Sequence, residues 1–201
     1  MPTPRVTRGS GLLEGFLAAQ RAKTANALIP PASRSGRILD VGFGSYPFFL
    51  ASTTFAEKYG VDKTAAEKSQ RWAPDAGICL IRHDIETGTI PFQDRFFDVV
   101  TLLAVFEHIK PDKLEKILHE IHRVLRPGGA FIMTTPAAWS DALLRFLAKI
   151  GLVSSNEIDE HKDTYTHAKI FPILEKGGFR KNSIHMGYFE LFLNIWATAR
   201  K

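Results

Sequence analysis

The stretch Arg37-Ile-Leu-Asp-Val-Gly-Phe-Gly-Ser45 decides how this chain folds. Ile38, Leu39 and Val41 make a short apolar run that suits a buried strand. Asp40 stands near its carboxyl end, and Gly42 and Gly44 follow at once. Residues 46–59 are expected to form a helix once Pro47 opens its first turn. Strand, glycine turn and helix leave a crevice above the strand end, walled by bare backbone and by the positive end of a helix. A small, partly anionic group fits such a place.

The flanking sequence extends this unit into alternating strands and helices. Upstream, Ser10 can cap a helix running to about Leu28, with Leu12, Leu13, Phe16, Leu17 and Leu28 as its apolar stripe, before Pro30-Pro31 ends it. Downstream, strands are expected over 58–61, 78–83, 96–103 and 130–134. The run 96–103 is almost continuously apolar, as in a strand buried on both faces. Helices are expected over 63–72, 140–150 and 166–176. Another starts at Pro111, with Leu114, Ile117, Leu118, Ile121, Val124 and Leu125 repeating every three or four residues, and Arg126-Pro-Gly-Gly129 stops it. Residues 179–186 and 188–199 read as two strands meeting in a tight turn at Gly187. The fold class that follows is α/β: a Rossmann-like, doubly wound, mostly parallel seven-stranded sheet with one antiparallel strand near the C-terminus. The chain reads as a single domain over 1–201, with 1–35 a covering helix and loop and 36–201 the core.

Composition sets bounds on function. A chain of 201 residues, 45% hydrophobic and 23% charged, has the size and balance of one soluble globular domain. The single Cys79 excludes an internal disulfide and fits a reducing compartment, so a cytoplasmic location is expected. Within Ile78-Cys-Leu-Ile81 it reads as a small buried hydrophobe. One cysteine also rules out a Cys-rich zinc cluster, and His119 and His122 on the helix after Pro111 read as solvated. Glu14 and Gln20 interrupt the apolar residues of 12–22, so no signal-peptide pattern forms, and no run of eighteen apolar residues is present. A net charge of +5 permits an acidic partner, but the basic residues are dispersed without a block of five. That dispersal favours a solvated surface over a nucleic-acid face.

The ligand is narrowed by three acids. A dinucleotide site wants a third glycine where the helix begins, but Ser45-Tyr-Pro-Phe48 follows Gly44 instead. Asp40 before the glycines would repel a diphosphate and suits an ammonium or sulfonium. Asp62, 18 residues past Gly44, ends the next strand, where a carboxylate accepts hydrogen bonds from a ribose diol. Asp84 ends the strand after that and can accept from an exocyclic amine. Aspartate also favours strand ends and turns for its own sake; three of them in register argue for a site.

On these residues the chain resembles the class I S-adenosylmethionine-dependent methyltransferases, and within them the quinone-biosynthesis methyltransferases. Ile38-Leu-Asp-Val-Gly-Phe-Gly44 is similar to that family's first motif. Gly60-Val-Asp62 is similar to the acidic end of its second strand, and Asp84-Ile85 to its adenine-contacting pair. Phe97-Asp-Val-Val-Thr-Leu-Leu-Ala-Val-Phe-Glu-His108 and Val124-Leu-Arg-Pro-Gly-Gly-Ala-Phe-Ile132, running on to Pro136, match its fourth and fifth strands. The resemblance implies S-adenosyl-L-methionine as cofactor. It places the carboxylate of that molecule at Gly42 and Gly44, its ammonium at the backbone of Leu103 and Ala104, its ribose at Asp62 with Lys63 beside it, and its adenine at Asp84 and Ile85, with Asp40 of the first motif also among the cofactor-binding residues. It departs from the family where Tyr46 replaces a third glycine and Phe43 a smaller residue.

Methyl transfer is an in-line displacement in which the protein mainly positions the reacting atoms. An oxygen or carbon acceptor often needs a base as well. Glu107, His108, His161, Tyr165 and His167 are candidates, and His108, directly after the fourth strand, is the first choice. The alternative for His108 is ordering the start of the next helix. No Asn-Pro-Pro-Tyr or Asp-Pro-Pro-Tyr follows the fourth strand, which weighs against amino-methylation of bases or of glutamine. The acceptor is therefore expected to be a small molecule, methylated at oxygen or carbon rather than nitrogen, with Leu143, Phe146, Leu147, Ile150 and Leu152 either lining its pocket or serving as core. The alternative is a degenerate cofactor-binding protein with an interaction role.

Overall fold

The computed structural model describes residues 13–64, 77–140 and 163–201. Seven strands form one sheet: β1 Arg37–Val41, β2 Glu57–Asp62, β3 Ile78–Arg82, β4 Phe97–Leu103, β5 Leu125–Pro136, β6 His185–Phe189 and β7 Asn194–Arg200. Their order is β3-β2-β1-β4-β5-β7-β6. The first five run parallel, and β7 is antiparallel to both β5 and β6. The strand order reverses between β1 and β4, so the crevice expected at such a switch point opens at their carboxyl ends.

Four helices are described: α1 Glu14–Leu28, α2 Phe48–Ser52, α3 Pro111–Val124 and α4 His167–Lys176. On α3 the expected stripe is the buried face, since Leu114, Ile117, Leu118, Ile121 and Val124 are each at most 2% exposed. Burying each such side chain contributes about 1.5–3 kcal/mol. The helix stops at Val124, and Leu125 already pairs with Phe97 of β4. Pro127 holds Arg126 out of the helical region.

Several expectations are corrected. The Ser10 cap lies outside the described residues, and α1 buries Ala18, Ala22 and Ala25, with Ile29 beyond its end, while Phe16 is 58% exposed. Small residues let this helix lie close against the sheet, so the large apolar ones sit at its free end. The helix expected over 46–59 is only Phe48–Ser52. Thr53 is extended (φ −114°, ψ 157°) and its hydroxyl donates to Asn26 Oδ1 at 2.6 Å. Two adjacent β-branched threonines favour that break. The helices expected over 63–72 and 140–150 fall almost wholly outside the described residues, where Lys63 and Thr64 are turn and Ser140 closes a 3-10 turn.

The last strand pair does not turn at Gly187. Gly187 sits inside β6 opposite Trp196, and a Cβ there would come within 2.6 Å of the indole ring. The turn is at 190–193, where Glu190, Leu191 and Phe192 all have positive φ, of 50°, 54° and 69°. Residues 181–183 form a 3-10 turn in place of strand. Cys79 is exposed on β3, the edge strand of the sheet. His122 is half-buried against the Phe179 ring at 5.3 Å, and burial pushes its pKa down.

Candidate active site

The carboxyl ends of β1 to β4 surround a cleft of about 430 Å³. Gly42 lies past β1, Asp62 and Lys63 at the end of β2, His83, Asp84 and Ile85 past β3, and Val105 and His108 past β4. Five of the residues singled out in the sequence for a cofactor, Gly42, Asp62, Lys63, Asp84 and Ile85, therefore line one space, as does His108.

The glycine turn is built by its own backbone. Gly42 has φ +82° and Gly44 φ +73°, a region that costs other residues free energy. Gly42 also admits no side chain, because a Cβ would stand 2.5 Å from Val105 Cγ2. Tyr46 is not among the positive-φ residues, so the two glycines complete the turn and no third is required. Asp62, 3% exposed, clamps this turn: its Oδ2 accepts from Gly44 N at 2.8 Å. Its Oδ1 accepts from Thr64 N at 2.7 Å and from Thr64 Oγ1 at 2.6 Å. Asp84 Oδ1 accepts from Glu86 N at 2.9 Å and so shapes the loop after β3.

Asp40 and Gly44 are not in the cleft wall. Asp40 is 4% exposed behind it, and Thr101 Oγ1 donates to its Oδ1 at 2.6 Å. Burial is the main cause that pushes its carboxyl up to about 7; the Thr101 hydrogen bond opposes the rise and the charge of Asp62 adds to it. Leu103 closes β4, and Ala104 after it adopts a left-handed φ of 52°. Its N–H donates to Thr134 O at 3.0 Å and Thr134 Oγ1 at 3.1 Å. A non-glycine residue held so is strained by about 1 kcal/mol or more, and such residues collect at functional sites.

His108 ends the 3-10 turn Phe106–His108, with its N–H donating to Val105 O at 2.9 Å and its Nδ1 buried. The other candidate bases are not on the cleft. Glu107 faces inward at 3% exposure and accepts from Thr135 Oγ1 at 3.0 Å. Tyr165 is buried edge-on to Phe106 at 4.8 Å, and burial pushes its phenol pKa up. His167 packs on Tyr188 at 4.4 Å. His161, Leu143, Phe146, Leu147, Ile150 and Leu152 lie outside the described residues. The sequence reading gave no role to Thr101, Thr64 or Val105; Thr101 and Val105 had a signal, since both stand in the motif Phe97 to His108. Among the described residues no group of His, Cys, Asp and Glu could hold a metal, and no helix is long and apolar enough to cross a membrane.

Comparison with known proteins agrees with this architecture. The family described as Methyltransferase domain matches residues 39–133. The chain is 30% identical to a tRNA N(3)-cytidine methyltransferase of Danio rerio over 58% of this chain and 36% of that protein. It is 35% identical to the 2-phytyl-1,4-naphtoquinone methyltransferase of Nostoc punctiforme over 35% of this chain and 32% of that protein. The chain thus spans about a third of the length of these relatives. An S-adenosylmethionine-dependent methyltransferase of Archaeoglobus fulgidus shares the fold with a TM-score of 0.68 at 17% identity, over 92% of this chain and 94% of that one. So does the Haemonchus contortus phosphoethanolamine N-methyltransferase 2, solved in complex with S-adenosyl-L-methionine, with a TM-score of 0.65 at 17% identity over 90% of this chain and 52% of that one. The family match, the seven-stranded sheet and the glycine turn coincide on the same residues, and over 39–133 the chain is similar to the methyltransferase domain whose fold the S-adenosylmethionine-dependent methyltransferases share.

Proposed function

We propose that this chain methylates a small, largely apolar acceptor at oxygen or carbon, in the cleft between β1 and β4. The residues present fit the cofactor. Asp62 and Asp84 offer carboxylate oxygens at neighbouring strand ends, matched to a ribose diol and an exocyclic amine. Among the described residues on the cleft, Lys63 is the one lysine or arginine beside the acids Asp62, Asp84 and Glu86, a balance that suits a cationic nucleoside and repels a diphosphate. In this reading Asp62 and Lys63 hold the ribose, and Asp84 and Ile85 the adenine. The turn at Gly42 and Gly44 and the backbone of Leu103 and Ala104 hold the amino-acid end, with Asp40 behind them.

When bound, S-adenosylmethionine supplies a methyl group on a sulfonium, an electrophile that needs no further activation. The protein's part is alignment and proton removal. Val105 and the glycine turn fix the cleft wall, and the strained Ala104 sets the direction in which the chain leaves β4. His108 takes the acceptor's proton at Nε2, its Nδ1 being buried. His108→Ala should keep cofactor affinity within about twofold and lose most turnover; equal loss of both would assign His108 to binding instead.

The observation that carries the acceptor class is a segregation of surface. The exposed large hydrophobic side chains among the described residues are Phe16, Trp139, Tyr188, Leu191 and Phe192. Trp139 follows β5, and Tyr188, Leu191 and Phe192 belong to the end of β6 and the turn after it, at the carboxyl end of the sheet. Phe16 lies on α1 about a turn and a half before Arg21, whose charge reaches Glu190 of that same turn. Arg37, Arg126, Arg200 and Lys201 gather at the opposite end, around Asp98 and the 128–129 backbone. An apolar rim with Arg37, Arg126 and Arg200 at the opposite end supports an apolar acceptor over a polyanion. Incubation with methyl-labelled cofactor, an organic-extractable metabolite pool and bulk tRNA tests this. Label should enter the extractable pool, and label in the RNA alone would overturn the acceptor class.

A further inference from the structure

Asp40 is a buried titratable group that the proposed reaction leaves without a task. It is the last but one residue of β1, two residues before Gly42, which lines the cleft, and it is 4% exposed. Its neighbours are few. From β4 comes the neutral Thr101 hydroxyl, and from β2 the Asp62 carboxylate, whose charge acts on it. Among the described residues Asp62 is the charged group that reaches it; Lys63 and His108 stand further along the cleft. Asp62 itself lines the cleft and is fixed there by Gly44 and Thr64. The β1–β2 register pairs Asp40 with Gly60, so Asp62, two residues further along β2, shares its face of the sheet, and Asp62 lines the cleft while Asp40 is buried behind it. Two such groups resist carrying negative charge together unless a cation joins them.

Resting on the cofactor assignment above, we propose that Asp40 senses the charge of the cleft's occupant: it gives up its proton when the sulfonium cofactor binds and takes one back when the demethylated product replaces it. The charge balance is closed. The methyl group leaves on the acceptor, the S–CH3 bond pair stays on sulfur, and the occupant loses one positive charge. Asp40 then regains a proton from solvent. The pair of acids consequently favours S-adenosylmethionine over S-adenosylhomocysteine at high pH and loses that preference at low pH. Product release is helped by the same loss of attraction.

Calorimetric titrations of the full chain with S-adenosylmethionine and with S-adenosylhomocysteine test this between pH 6 and pH 8, in phosphate and in Tris. Heats in buffers of different ionisation enthalpy report protons released on binding. The ligands' own amino groups titrate alike in wild type and in Asp40→Asn, so the difference between the two proteins isolates Asp40. With Asp40 poised at about 7, wild type should lose about tenfold more S-adenosylmethionine affinity than Asp40→Asn on going from pH 8 to pH 6. For S-adenosylhomocysteine the two proteins should show the same pH dependence. If Asp40→Asn does not fold, Thr101→Val serves instead: losing the hydrogen bond that holds the Asp40 carboxyl down should move the inflection to higher pH. Equal pH dependence for both ligands, or no change in either variant, overturns the inference. Absence of binding by both ligands would instead overturn the cofactor assignment.

Discussion

Asp40→Asn also changes stability in a way whose sign is fixed by the structure. Burial and Asp62 raise the Asp40 carboxyl from 3.8 to about 7. The folded chain therefore keeps a proton that the unfolded chain releases above about pH 4. This contribution to stability is fully present below that pH and is lost as pH rises to about 7. About three pH units at roughly 1.4 kcal/mol each put the cost of ionising Asp40 near 4 kcal/mol at pH 8. Asparagine has the same shape, carries no charge and can still accept from Thr101. Urea unfolding of both proteins at pH 5, 6, 7 and 8 measures the difference. The variant should gain on wild type by about 1.4 kcal/mol for each pH unit between 5 and 7, then level off. A difference that stays flat, or that falls with rising pH, would refute the description of Asp40 as a carboxyl held protonated by burial.

Two further substitutions probe the frame of the site and of the sheet. Asp62→Ala removes the acceptor for Thr64 and for Gly44 N, leaving the buried Gly44 donor unmet, and should weaken cofactor binding by about 1–3 kcal/mol in calorimetry; unchanged affinity would remove Asp62 from the site. Gly187→Ala sets a methyl group 2.6 Å from the Trp196 ring and should cost about 1–3 kcal/mol in denaturant unfolding while sparing cofactor affinity. A neutral result there would mean that the β6–β7 pair yields freely.

Much of this architecture can be read in the chain because β1 and β4 are nearly apolar runs and β1 is followed at once by glycine. Residues 37–41 and 97–103 are strands for that reason, and the α3 stripe is legible because one face is buried against the sheet. The failures share a cause, contacts between segments far apart in sequence. Phe16 and Leu17 look like the buried stripe of α1, yet the alanines face inward because the helix lies close to its neighbours. Helix α2 stops at Ser52 because the Thr53 hydroxyl reaches Asn26, 27 residues away. Gly187 resembles a turn glycine, but it is a strand residue that makes room for Trp196. In the site, Asp62 and Asp84 are placed by strand ends and were visible. That Asp40 lies behind the wall, held by Thr101 61 residues on, depends on the β1–β4 register and was not.

The most direct measurement is equilibrium binding of the purified chain to S-adenosylmethionine, S-adenosylhomocysteine and NAD by calorimetric titration, repeated with Asp62→Ala. One molecule of either sulfur nucleoside should bind per chain, with affinity reduced in the variant and no heat from NAD. Saturable NAD binding, or no heat from either sulfur nucleoside, would contradict the assignment of the cleft.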